Sequence, residues 1–102
     1  RDFLHIDDFL KALKMIIKKQ TSNFEILNVC FGKQYSIREI INKLIKKKIL
    51  TNQTVFLKDK PTINVNILVS NSKIKKVIGW KPSTKIEDSI LKTFDWVKAN
   101  YK

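Results

Sequence analysis

Glycine is the scarcest thing this sequence needs: Gly32 and Gly79 are the only two in 102 residues, and they lie far apart. A glycine-rich turn that brings backbone amides against a dinucleotide pyrophosphate cannot be built from them, so the chain is not expected to cradle such a cofactor unaided. Cysteine is equally sparse. Cys30 stands alone, which excludes an intrachain disulfide, and with His5 as the one other soft ligand a closed zinc site is excluded too. A reducing, cytoplasmic setting is the expectation. No apolar run approaches the roughly 20 residues that cross a bilayer, and the first residues lack the charged-then-apolar pattern of a secretory signal, so no membrane partner is expected. Acids are few as well, nine against 21 basic residues, which gives a net charge of +12.

That charge admits a nucleic-acid surface, because every phosphate neutralised releases counterions. Its composition argues otherwise. Of the 21 basic residues 19 are lysine, set among 15 isoleucines and 8 asparagines, the bias of A- and T-rich codons. Lys18 and Lys19, Lys46 to Lys48, and Lys98 with Lys102 also fall near the ends of expected helices, where cations offset the negative end of the dipole. A solvated lysine surface accounts for them. A stand-alone basic nucleic-acid-binding module and a purely structural or interaction domain remain the alternatives to the reading reached below.

At 43% hydrophobic, the chain has material for one small core. Apolar residues at Phe9, Leu10, Leu13, Ile16 and Ile17 recur at helical spacing from Asp7 to about Lys19, with lysines opposite, and Asp7 or Asp8 is expected to cap this helix. Phe24 to Val29 reads as a buried strand closed by Gly32. Ser36-Ile37-Arg38-Glu39 is a capping box, followed by Ile40, Ile41, Leu44 and Ile45 on one helical face. Thr54 to Leu57 and Val65 to Val69 read as further strands. Ser70 or Asn71 is expected to cap a short helix carrying Ile74, Val77 and Ile78, which Gly79 ends in a left-handed conformation. Thr84 to Glu87 is a second capping box, opening a final helix with an apolar stripe at Ile86, Ile90, Phe94, Val97 and Tyr101. The expected fold is α/β, with about four helices and two or three short strands. Cys30 reads as a small core residue, His5 as structural, and Trp80 and Trp96 as core.

Three stretches carry a resemblance. Arg1-Asp2-Phe3-Leu4-His5-Ile6-Asp7-Asp8 resembles the R-D-[FYW]-x-[HY]-x-x-D segment of the extended short-chain dehydrogenase/reductases, the NAD-dependent epimerases and dehydratases of nucleotide sugars. Asn28-Val29-Cys30-Phe31-Gly32 with Tyr35-Ser36-Ile37-Arg38-Glu39 is similar to the family's N-[IV]-G-x-G…[YHV]-S-[IV]-R-E. Lys60-Pro61 followed by Ser72-Lys73 and Ile78-Gly79-Trp80-Lys81-Pro82 resembles its R-P-x-[DE]…D-x-S-K…L-G-W-x-P, the most distinctive of the three. The last helix, with Trp96-Val97, ends as family members do. The departures are Cys30 for a glycine, Phe31 for a small polar residue, Lys60 for an arginine, Ile63 for an acid and Ser70 for an aspartate.

The resemblance implies that residues 1–102 are the C-terminal, substrate-binding part of such an enzyme, with the dinucleotide-binding Rossmann domain absent from this chain. It implies a nucleotide-diphosphate sugar as ligand, with Arg1 and Lys60 as the two cations on the diphosphate. Ile63 stands where an acid contacts the ribose or base, and a one-residue shift gives that role to Asn64. NAD or NADP belongs to the parent enzyme and is bound mainly by the missing domain. The chain lacks the Tyr-x-x-x-Lys pair that family members use in hydride transfer, so no catalytic residue and no metal ligand is assigned and the piece is expected to be catalytically silent. The parent is expected to be a homodimer formed through helices of the missing half. A slight lean is toward the GDP-mannose dehydratases and related reductases.

Overall fold

The computed structural model describes residues 1–63 and 65–101. Four helices follow in order: α1 (Ile6–Lys19), α2 (Ile37–Lys46), α3 (Ser72–Ile78) and α4 (Ile86–Asn100). None is long and apolar enough to cross a membrane among the described residues. The expected strands do not form there. Runs 24–29, 54–57 and 65–69 have no strand pairing, and the one ladder contact is an antiparallel bridge between Asp2 and Gln34. A strand exists only where a neighbour answers its amides and carbonyls along its length, and none of these runs has such a neighbour among the described residues. Many of their apolar side chains stay in water accordingly: Phe24, Ile26, Val55, Leu57, Ile67 and Leu68 are all exposed, while Leu27 and Val29 pack against the core.

The core is small. Ala12 of α1, Ile74 and Ile78 of α3, and Trp80 just beyond Gly79 form one buried cluster, with Leu4, Met15, Ile16, Leu27 and Val29 packed around it. The radius of gyration is 16.7 Å, against about 13 Å for a compact chain of this length. On α1 the buried face differs from the stripe expected from the sequence. Asp8 and Ala12 are buried and Met15 and Ile16 half-buried, whereas Phe9, Leu10, Leu13 and Ile17 face solvent. The helix is apolar on two sides, and α3 with Trp80 covers one of them. Trp96, expected in the core, is likewise exposed, stacked edge-on against Tyr101 at 5.8 Å.

The helix ends explain why the chain turns where it does. Ser36 caps α2 in a complete box: its hydroxyl accepts from the Glu39 amide at 3.1 Å, and the Glu39 carboxylate accepts from the Ser36 amide at 2.6 Å. Gly79 ends α3 at φ 76°, as expected. The caps of α1 and α4 depart from the sequence reading, whereas at α3 the Ser70 hydroxyl accepts from the Ser72 amide at 3.3 Å, one of the two expected choices. His5, not Asp7 or Asp8, caps α1, its Nδ1 accepting from the Asp7 amide at 3.2 Å. Asn71 stands at the N-cap of α3 and Lys85 at that of α4, and neither side chain makes a capping bond.

Asp8 has a different task. Its side chain is buried, and it accepts from the Ser83 amide at 3.1 Å, the Ser83 hydroxyl at 2.8 Å and the Thr84 amide at 2.8 Å. The Asp8 carbonyl accepts from Trp80 Nε1 at 3.1 Å. One residue thus ties α1 to the core tryptophan and to the two residues before the α4 cap. Lys11 adds a hydrogen bond to the Ser83 hydroxyl at 3.2 Å. Further out, the Lys43–Glu87 ion pair joins α2 to α4.

Burial pushes the Asp8 carboxyl up, but the hydrogen bonds from Thr84 and Ser83 outweigh it and hold the group below its ordinary value of 3.8. A depressed folded-state value contributes stability that is fully present above the unfolded value and is lost as pH falls through the folded one. Resistance to urea is therefore expected to fall below pH 3.8 more steeply in the native chain than in Asp8→Asn. Near neutral pH, Asp8→Ala is expected to cost about 2 kcal/mol, because it removes three hydrogen bonds that join α1 to the Ser83–Thr84 segment.

Candidate functional site

The stretch from Arg1 to His5 runs into α1, and its first two residues are fastened to the segment that leads into α2. The Arg1 nitrogen donates to the Tyr35 carbonyl at 2.8 Å, and the Tyr35 amide returns a bond to the Arg1 carbonyl at 2.9 Å. Asp2 reaches further back, its two carboxylate oxygens accepting from the Phe31 amide at 2.8 Å and the Gly32 amide at 2.7 Å. The aspartate is thereby spent on the turn. Arg1 remains exposed.

Arg1 lines a cavity of about 370 Å³ with Gln34, Tyr35, Ser36, Glu39, Val65 and Asn66. One wall comes from the Asp2-bound segment and the start of α2, the other from the segment before α3. The surroundings are cationic: Lys33 and Lys43 lie over the Tyr35 ring, 5.1 and 5.7 Å from its centroid. Glu39 is the opposing charge. Hydrogen bonds from the Ser36 amide and hydroxyl region hold its carboxyl below the ordinary value, so it stays ionised, but its charge is committed to the helix cap. Gln34 brings a buried side-chain nitrogen with no hydrogen-bond partner among the described residues.

Of the residues expected at the site, Arg1 alone is in this cavity. Lys60 sits exposed on the turn at 58–60 and does not line it, and Asn64 lies outside the described residues. Gln34 and Asn66 escaped the sequence reading. Gln34 had a visible cue in its place directly before the Tyr35-Ser36 motif; Asn66 had none, since its position depends on how the run before α3 folds back. A larger cavity, about 420 Å³, lies between His5, Ile6 and Asp7 and the α4 residues Lys92, Thr93 and Trp96. There Lys92 is paired with Asp7 at 3.5 Å, so the cavity offers an anion no uncommitted cation, and the smaller one is the better candidate.

Cys30 is buried, its sulfur donating to the Val69 carbonyl at 3.3 Å, and burial first and the Asp2 charge second push its thiol above the ordinary value. A protonated thiol in that setting packs and does not attack. No cluster of three metal-ligating side chains occurs among the described residues. At the start of α2 the Ser36 and Glu39 amides are both taken up by the capping box.

The profile of the family described as GDP-mannose 4,6 dehydratase matches residues 1–93. The chain belongs to that family. That family lies among the NAD-dependent epimerases and dehydratases, the extended short-chain dehydrogenase/reductases, whose members act on nucleotide sugars. It is 30% identical over 101 residues to a probable GDP-L-fucose synthase 1 of Oryza sativa subsp. japonica, covering 98% of this chain and 30% of that protein. It is 32% identical over 105 residues to a UDP-glucuronate 4-epimerase of Thermodesulfobacterium geofontis, covering 98% of this chain and 31% of the relative. The chain thus spans about a third of the length of these relatives. The fold is that of the solved UDP-glucose 4-epimerase of Bifidobacterium longum in complex with NAD+ and UDP: the TM-score is 0.82 at 24% identity, over 98% of this chain and 30% of that one. The α/β class expected from the sequence is the class of these enzymes.

Both glycines of this family member have positive φ, but their surroundings differ. A Cβ on Gly32, at φ 81°, would meet the Asn71 side chain at 2.9 Å, whereas one on Gly79 would meet open space. Gly79→Ala is expected to cost roughly 1 kcal/mol from backbone strain alone, and Gly32→Ala about twice that or more, since strain and overlap add. Paired urea titrations of the two variants check the order.

Proposed function

We propose that this chain is the nucleotide-sugar-binding part of an NAD(P)-dependent sugar-nucleotide epimerase, dehydratase or reductase. The observation that carries the proposal is the convergence of two family motifs on one cavity, the Arg1-Asp2 segment and the Tyr35-Ser36…Glu39 segment, with a charged arginine at its edge. A diphosphate is the ligand such an edge suits. Its oxygens accept charge-assisted hydrogen bonds from a guanidinium in a planar, two-pronged arrangement, and Lys33 and Lys43 add a favourable field. The overall charge of +12 draws anions from a distance.

In this reading residues 1–102 form the substrate-binding domain. Lys60 is the second cation, brought to the ligand from its exposed turn, and Asn64 is a contact to the ribose or base. The remaining length of the parent, by the measure of its relatives, supplies the dinucleotide-binding domain, holds NAD or NADP and carries the groups that move hydride and proton. The exposed stripe Ile6, Leu10, Leu13 and Ile17 on α1 supports an adjoining body of polypeptide, because a stripe this apolar is costly to leave in water. Nucleotide binding would then serve the chemistry by holding the sugar against the nicotinamide. We infer that alone the chain turns over no substrate, since its sequence lacks the Tyr-x-x-x-Lys pair that family members use in hydride transfer. The family profile and the fucose synthase relatives favour a guanosine diphosphate sugar.

Titration calorimetry with GDP-, UDP- and dTDP-sugars tests this reading. One nucleotide is expected to bind in preference to the others, with Arg1→Ala lowering its affinity by roughly 10-fold or more and Lys60→Ala by a smaller factor. Binding that ignores Arg1, or that no nucleotide shows at millimolar concentration, contradicts it.

A further inference from the structure

The two walls of the Arg1 cavity come from segments that share no ladder hydrogen bonds, so something else sets the distance between them. The wall carrying Gln34, Tyr35 and Ser36 is fixed by the Asp2 carboxylate on the Phe31 and Gly32 amides and by the Arg1–Tyr35 bridge. The wall carrying Val65 and Asn66 belongs to the run that leads to α3, which has no strand pairing among the described residues. Among the described residues, two side-chain contacts tether this run to the turn that precedes the first wall. One is the weak Cys30 thiol bond to the Val69 carbonyl at 3.3 Å. The other is the Asn71 side chain, whose nitrogen donates to the Cys30 carbonyl at 3.2 Å and the Phe31 carbonyl at 3.0 Å.

Asn71 stands at the N-cap of α3 yet leaves that cap unmade. A short polar side chain in that place ordinarily turns onto the helix amides. This one spends its amide across the turn instead. The turn is held on both sides as a result, its N–H groups by Asp2 and its carbonyls by Asn71, and Gly32 has no Cβ because the Asn71 side chain fills that space. We propose that Asn71 is a positioning residue for the nucleotide site: its amide pins the 65–71 run to the 30–32 turn and so fixes the spacing between Arg1 on one wall and Asn66 on the other. The inference rests on the reading of this cavity as a diphosphate site.

A double-mutant cycle on the whole 102-residue chain tests it, with affinity for GDP and UDP read from NMR titrations carried to millimolar ligand. Asn71→Ala is expected to weaken the preferred nucleotide by about 5- to 10-fold in the native background and by less than about 2-fold in the Arg1→Ala background, because a residue that acts through the spacing to Arg1 has little left to lose once Arg1 is gone. Protection of the Phe31 amide against hydrogen exchange is expected to fall in the same variant. Equal loss in both backgrounds, or no loss in either while Arg1→Ala still weakens binding, overturns the positioning role and leaves the diphosphate site standing. Failure of the native chain to bind either nucleotide, or indifference to Arg1→Ala, overturns the site and the inference together. Should Asn71→Ala not fold, Asn71→Ser serves: its hydroxyl can cap α3 but is too short to span both carbonyls, and the same pattern of losses is expected.

Discussion

Asp8 is a carboxylate shut away from water, and the chain is arranged to answer it. An ionised group in that position is tolerated only if every oxygen is occupied, and Ser83 and Thr84 are delivered to it from 75 residues downstream. The consequence reaches across the molecule. Because Asp8 fixes the start of α4 against α1, and its carbonyl fixes Trp80, the short helix α3 is trapped between them with Ile74 and Ile78 in the core. The fold of a chain with so little buried apolar surface leans on one well-satisfied anion.

A second aspartate repeats the device near the site. Asp2 answers two consecutive amides of the 30–32 turn and leaves its neighbour Arg1 to face the cavity. Asp2 and Asp8 of the opening motif are therefore structural, and Arg1 is the residue of the motif that lines this cavity. This division is what the proposed recognition role requires: the acids Asp2 and Asp8 are hydrogen-bonded into the fold, and the Arg1 side chain is left at the cavity.

Much of this was legible in the residues. The four helices follow from periodicity, the capping box at Ser36 and Glu39 forms as its spacing requires, and Gly79 ends α3 in the left-handed conformation its position demands. What the residues did not disclose is which neighbour each apolar face meets. Phe9, Leu10, Leu13 and Ile17 read as a buried stripe because the period of an amphipathic helix says only that a face is apolar, and here α3 covers the other side. The strand-like runs misled for the same reason: Phe24 to Val29 has the composition of a strand, but pairing is a property of two segments. Asp8 read as a cap because capping is local, and its partners at Ser83 and Thr84 are not. At the site, Arg1 was found through its motif, whereas Gln34, Asn66 and Asn71 are brought together only by the way the turn at Gly32 folds against the run before α3.

The account stands on the Arg1 cavity being where a nucleotide diphosphate sits. Mapping backbone amide shifts of the isotopically labelled chain during titration with a GDP- or UDP-sugar tests this most directly. The account predicts that the largest changes gather at Gln34, Tyr35, Ser36 and Asn66. Changes gathered instead around Asp7, Lys92 and Trp96, or scattered over the lysines without a centre, would contradict it.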